Sequence, residues 1–218
     1  NTAYGSESLR ANTTGYSNTA TGYRALYSNT TGYGNTANGI NSFYYNTTGY
    51  QNTATGFHAL FSNSTGYDNT GVGTGALISN TTGYQNTAYG AEALSSNTTG
   101  IQNTALGDKA LWSSKTGNFN AASGYQTLYY NLSATSSTAI GTTAARGIAN
   151  YNNQGGVYVG YQAGYYAGTG SDYNTFLGYQ SGYGVTTGSN NIWIGTATSS
   201  TAIANLTTGS QNIIIGNN

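Results

Sequence analysis

Large apolar side chains along this sequence recur singly, at a fixed interval, and not in helical or alternating runs. Aligned on Asn-Thr-Ala, the chain repeats every 17 residues from Asn1 through Asn18, Asn35, Asn52, Asn69, Asn86 and Asn103 to a degenerate copy at Asn120. Eight units without insertion fill residues 1–136, with the consensus N-T-A-x-G-x-x-A-L-x-S-N-T-T-G-Y-x. A constant short period marks a solenoid whose units stack on their neighbours; helical repeats are longer, at roughly 33–47 residues. The pattern therefore predicts an all-β parallel solenoid with two short strands per coil, N-T-A-x and A-L-x-S. Glycine closes the first strand in every unit, and N-T-T-G-Y supplies a wide turn.

One large apolar residue falls in each second segment: Leu9, Leu26, Phe43, Leu60, Leu77, Leu94, Leu111 and Leu128. Stacked coils turn these into an internal ladder. The asparagines at the first and twelfth positions stack likewise, into columns whose amides can bond along the axis. A coil with one Leu and a few small residues buries little apolar area, so identical chains packed side by side are expected to supply the rest.

Residues 137–218 continue the pattern in degenerate form. Thr-Ala-Ile, Val-Tyr-Val, Thr-Phe-Leu, Ile-Trp-Ile and Ile-Ile-Ile each precede a glycine, now at spacings of 19, 18, 17 and 21. Strands apolar on both faces are buried on both. The tightest contact between chains is accordingly expected here, with Tyr158, Phe176, Trp193 and Ile214 as its packing residues.

Composition narrows the function. Five basic and five acidic residues leave no net charge and no basic strip for a phosphate backbone, which argues against nucleic acid as a partner. Proline, cysteine and methionine are absent, so no disulfide or thiolate metal site is available, and no segment resembles a signal peptide or a membrane span. The first residue is not Met and falls at a repeat start, as expected for a segment of a longer polypeptide. His58 stands alone, read as a solvated turn residue, and Glu7, Asp68, Glu92, Asp108 and Asp172 occupy variable positions, so neither catalysis, a cofactor nor a metal site is expected. Eight Asn-x-Ser/Thr sequons, including Asn12, Asn29, Asn97, Asn131 and Asn205, arise from the turn. Tyr16, Tyr33, Tyr50, Tyr67 and Tyr84 form a column after the turn glycine, interrupted by Ile101 and Asn118, and are the candidate residues for contact with a glycan or protein receptor.

The units N-T-A-x-G-x-x-A-L and the later N-I-I-I-G resemble the head repeats of trimeric adhesins, the YadA-like head family, with a unit close to S-V-A-I-G. They are equally similar to repeats of phage tail-fibre proteins and of bacterial fibres that end in an intramolecular chaperone domain. The resemblance covers nearly the whole chain, and the present unit is longer by its N-T-T-G-Y turn. It implies a left-handed β-roll assembled as a parallel homotrimer, placed on a cell or virion surface as the shaft or head of an attachment fibre, with any chaperone domain lying downstream. Two alternatives are a self-polymerising extracellular filament and an ice-binding solenoid. The second needs threonines one residue apart, whereas the turn pair Thr30-Thr31 is adjacent.

Overall fold

The computed structural model describes residues 1–197 and 207–216. Among them lie thirteen three-residue strands: β1 (Thr2–Tyr4), β2 (Thr19–Thr21), β3 (Thr36–Asn38), β4 (Thr53–Thr55), β5 (Thr70–Val72), β6 (Thr87–Tyr89), β7 (Thr104–Leu106), β8 (Ala121–Ser123), β9 (Thr138–Ile140), β10 (Val157–Val159), β11 (Thr175–Leu177), β12 (Ile192–Ile194) and β13 (Ile213–Ile215). Each pairs in parallel with the next in chain order, forming one sheet. The fold is a parallel β-solenoid. Twelve steps of about 4.8 Å make the sheet roughly 58 Å long. Register repeats the sequence period, Thr19 opposite Thr36 and Ala20 opposite Ala37, and runs without a break through β9 into the longer coils that follow.

Only the first of the two expected strands forms. The A-L-x-S segment is a series of turns, with Arg24 at φ 55° and Leu26 at φ 51°, and the same left-handed pair recurs in the coils on either side. That geometry costs a residue with a side chain about 1–2 kcal/mol. Axial hydrogen bonds offset it. The Arg24 N–H donates to Ser6 O one coil back (3.0 Å), while the Leu26 N–H donates to Ser42 O (3.1 Å) and the Ser28 N–H to Tyr44 O (3.1 Å) one coil ahead. The segment thus bonds to both neighbours as a strand would, without strand dihedrals, and turns the Leu26 side chain fully inward.

The interior consists of columns. Alanine at the centre of each strand, from Ala20 to Ala139 with Gly71 in one coil, faces the ladder of Leu26, Phe43, Leu60, Leu77, Leu94, Leu111 and Leu128, all fully buried; Leu9, in the first coil, is partly exposed. Burying such a side chain contributes about 1.5–3 kcal/mol. The asparagine columns form as the repeat implied. Asn35 donates its N–H to Asn18 Oδ1 (2.9 Å) and its amide to Gly49 O (2.8 Å). Asn46 donates its amide to Asn29 Oδ1 (2.6 Å) and to that same Gly49 carbonyl (3.1 Å), which ties the two columns together. Glycine after the strand is required twice over. Gly90 sits at φ +141°, and a Cβ there would lie 2.4 Å from the carbonyl oxygen of Gly107 in the next coil.

In the later coils the core is inverted. Tyr158, Phe176 and Trp193 occupy the inward position held by alanine earlier, and the leucine position falls to Gly164 and Gly182 in two of these coils. A Cβ on Gly164 would lie 2.4 Å from the Tyr158 ring, and one on Gly182 2.3 Å from the Phe176 ring. The large side chain has moved across the core from the turn to the strand. This corrects the expectation that Tyr158, Phe176, Trp193 and Ile214 pack between chains. The first three are buried within their own coils, and Ile214 packs partly against the same core. The strand residues that face outward are their neighbours, among them Val157, Leu177, Ile192, Ile194, Ile213 and Ile215.

The inversion predicts a double-mutant outcome. Phe176→Ala alone should cost about 3–5 kcal/mol through the cavity it leaves, and Gly182→Leu alone about 1–3 kcal/mol through overpacking. Combined, they rebuild the Ala-plus-Leu coil found earlier, so thermal unfolding should show most of the loss recovered. Additive losses would contradict the exchange.

Candidate functional site

The solenoid offers three lateral surfaces: the outer face of the sheet, the face made by the turn segment carrying leucine, and the face made by N-T-T-G-Y. On the third, Tyr16, Tyr33, Tyr50, Tyr67 and Tyr84 come together as one column, with successive ring centroids 4.7–5.0 Å apart and planes within 4–6° of parallel. Each interior ring has both faces covered by its neighbours. What the column turns to solvent is a row of ring edges and phenol oxygens. Desolvation, followed by Tyr67, Tyr33 and Asp68, holds the Tyr50 phenol above its ordinary range.

The turn amides on this face donate along the axis and to their own turn glycine, while among the described residues the Oδ1 atoms of Asn46, Asn97 and Asn131 accept no hydrogen bond. Asn29, Asn46, Asn63, Asn80, Asn97 and Asn131 are fully buried in the ladder, so these sequon asparagines are closed to modification in the folded chain. Asn205 lies outside the described residues.

The face bearing the leucine turns carries aromatic columns that sequence reasoning passed over. The tenth position of the unit supplies Tyr27, Tyr44 and Phe61, stacked at 4.9 and 5.4 Å, and further along Trp112 and Tyr129, stacked at 5.1 Å. The signal was in the sequence, as an aromatic recurring one residue after leucine, but attention to the more regular Tyr16 column hid it. Arginines decorate this face. Arg24 lies over the Tyr23 ring at 4.8 Å and pairs with Glu7 at 2.5 Å, a contact that raises its pKa. Arg146 lies over Tyr130 at 5.0 Å. His58 lies in a turn, as read, but is half-buried and not freely solvated, its ring 3.9 Å from Phe57 and 4.6 Å from Phe61.

On the sheet face, threonine at the first strand position points outward in β1 to β7, and Thr19 with Thr21 and Thr53 with Thr55 are pairs one residue apart. Sequence reasoning sought such pairs in the turns and overlooked them here. Asn38, Val72, Tyr89 and Leu106 interrupt the second column, so no regular two-column threonine array results.

Comparison with family models, with curated proteins and with solved structures gives no match. What the chain can do must therefore be argued from its own surfaces. Among the described residues no three of His, Asp and Glu gather where a metal could sit, and no helix is long and apolar enough to cross a membrane.

Three phenols in the later coils carry a pH prediction. Burial holds Tyr151 well above its ordinary range and raises Tyr158 strongly; burial and then its neighbour Tyr166 push Tyr183 up to about 12. A phenol whose pKa is higher folded than unfolded contributes stability that is intact below about pH 10 and declines as pH rises toward the folded value. Alkaline titration should therefore show a late rise in phenolate absorbance that coincides with loss of the circular-dichroism signal. A gradual titration of all tyrosines with the fold unchanged would contradict this burial.

Proposed function

We propose that this chain is a stiff, self-associating segment of an extracellular or virion-surface fibre, a left-handed β-roll that works as a parallel homotrimer and serves as shaft and attachment surface. The carrying observation is the outer sheet face of the last coils. There Leu177, Ile192, Ile194, Ile213 and Ile215 stand exposed in two adjacent columns, with Ile140 and Val157 continuing them. A band of aliphatic side chains along one face exceeds the scattered exposure usual for a soluble surface and suits burial against another protein. No charged residue lies in β9 to β13, so identical faces meet without repulsion. The thin core argues the same way, since further burial is what each coil lacks. Trimer number and handedness follow the resemblance to adhesin head repeats. Attachment follows it as well, supported by aromatic side chains displayed along two of the three lateral surfaces.

Light scattering on the purified chain tests this reading. A mass three times the 22.5 kDa of one chain is expected, falling to that of one chain when Ile194→Asp and Ile213→Asp are combined. A monodisperse folded monomer would contradict it. Mass growing without limit as concentration rises would favour an end-to-end filament instead, joined through the open outer edges of β1 and β13.

A further inference from the structure

The aromatic column at the tenth unit position lacks its ring in two consecutive coils in the middle of the rod. Phe61 is followed by Ile78, then by Ser95, and only then by Trp112. The sixth and seventh positions shrink over the same two coils, to Thr74 and Gly75 and then Ala91, with Glu92 alone keeping a long side chain. The result is a cavity of about 330 Å³ open to solvent, with Phe57 and His58 at one end, Trp112 at the other, and Gly75, Ile78 and Ser95 between. That volume lies at the lower end of the range for small-molecule pockets, roughly 300–1,000 Å³.

The break exposes what the intact ladders hide. One face of Trp112 is covered by Tyr129, 5.1 Å away, while its other face looks toward the coil of Ser95, where no ring stands. Ile78 and Trp112 are two coils apart, about 9.6 Å along the axis, which leaves room for one flat ring as the missing rung. Glu92 is oriented at the side of this gap by the Trp112 indole N–H, which donates to its Oε2 at 2.9 Å. Glu7, at the same unit position five coils earlier, is neutralised by Arg24 and Arg10. Glu92 makes no such ion pair, and among the described residues no donor reaches its Oε1. The rim adds the hydroxyls of Thr74 and Ser95.

We propose that this gap binds one pyranose ring of a glycan, seated as the missing rung with its C–H face on Trp112 and a hydroxyl donating to Glu92 Oε1. Apolar walls above and below with a few convergent polar groups at the side suit a ring with one apolar face and an edge of hydroxyls. The proposal gives the attachment reading a ligand class, yet the site is built by one chain and needs no trimer.

The test begins with a glycan array probed with the whole chain, followed by titration of the bound sugar into the Trp193→Phe variant, which leaves Trp112 as the one tryptophan, while its fluorescence is recorded. Saturable binding with a change in Trp112 emission is expected. Ser95→Tyr supplies the rung that Tyr27, Tyr44 and Tyr129 supply elsewhere, so it should abolish binding with the melting temperature kept or raised. Glu92→Gln should weaken binding about tenfold, as loss of a charged acceptor does. No glycan bound, full binding by Ser95→Tyr, or the same emission change with guanidinium or tetramethylammonium chloride and none with sugar would each overturn the proposal. Binding lost on Tyr50→Ala and kept in Ser95→Tyr would also overturn it, by moving the site to the other column. Light scattering on the same samples separates the two claims: a monomer that binds sugar contradicts only the fibre reading, and a trimer that binds none contradicts only the pyranose site.

Discussion

A hydrogen bond along the axis of a rod forms only where the next coil presents the complementary group at the same place, and nearly everything in this structure follows from meeting that condition every 17 residues. The strands are three residues long, too short to be stable by themselves. They hold because backbone bonds also run coil to coil through the left-handed Arg24 and Leu26 type of turn and through the N-T-T-G turn, where the N–H groups of Thr30, Thr31 and Gly32 all point at the carbonyl of Thr47. The asparagine columns extend the lattice with side chains. With so little apolar volume per coil, polar satisfaction carries an unusual share of the specificity, and identical residues must be kept in register.

The same condition explains where the repeat tolerates change. Positions whose groups bond along the axis, such as Asn18, Asn35 and Gly90, hardly vary from coil to coil, while an outward one such as the third strand residue runs through Thr21, Asn38, Val72, Tyr89 and Leu106. The core sits between these limits. It accepts Ala with Leu, or Phe176 with Gly182, because what the neighbouring coils constrain is filled volume and not which wall supplies it. Open ring faces then arise where a ladder is broken. A continuous aromatic stack covers its own faces, as Tyr33, Tyr50 and Tyr67 do, and a missing rung uncovers one, as Ser95 does beside Trp112.

Period, strand position, the leucine ladder and the asparagine columns were legible in the sequence, since each is a residue type recurring at one unit position. The second strand was misread for a physical reason. Nothing in A-L-x-S announces a left-handed leucine, and a segment that bonds to both neighbours and alternates its side chains has the pattern of a strand. Tyr158, Phe176 and Trp193 were misassigned to a chain interface because strand alternation alone does not say which face is inward. The compensating Gly164 and Gly182 carried that information. The aromatic gap at Ser95 was invisible for another reason: it is an absence within a column that had not been drawn.

Native-state amide hydrogen exchange measures the axial lattice most directly. In the interior coils, between β3 and β9, strong protection is predicted not only at strand amides such as Thr53 and Thr70 but also at the turn amides of Leu60, Leu77 and Leu94, with protection fading toward Asn1 and Gly216. Protection confined to the three-residue strands, with the leucine turn amides exchanging as in an unfolded chain, would contradict the account.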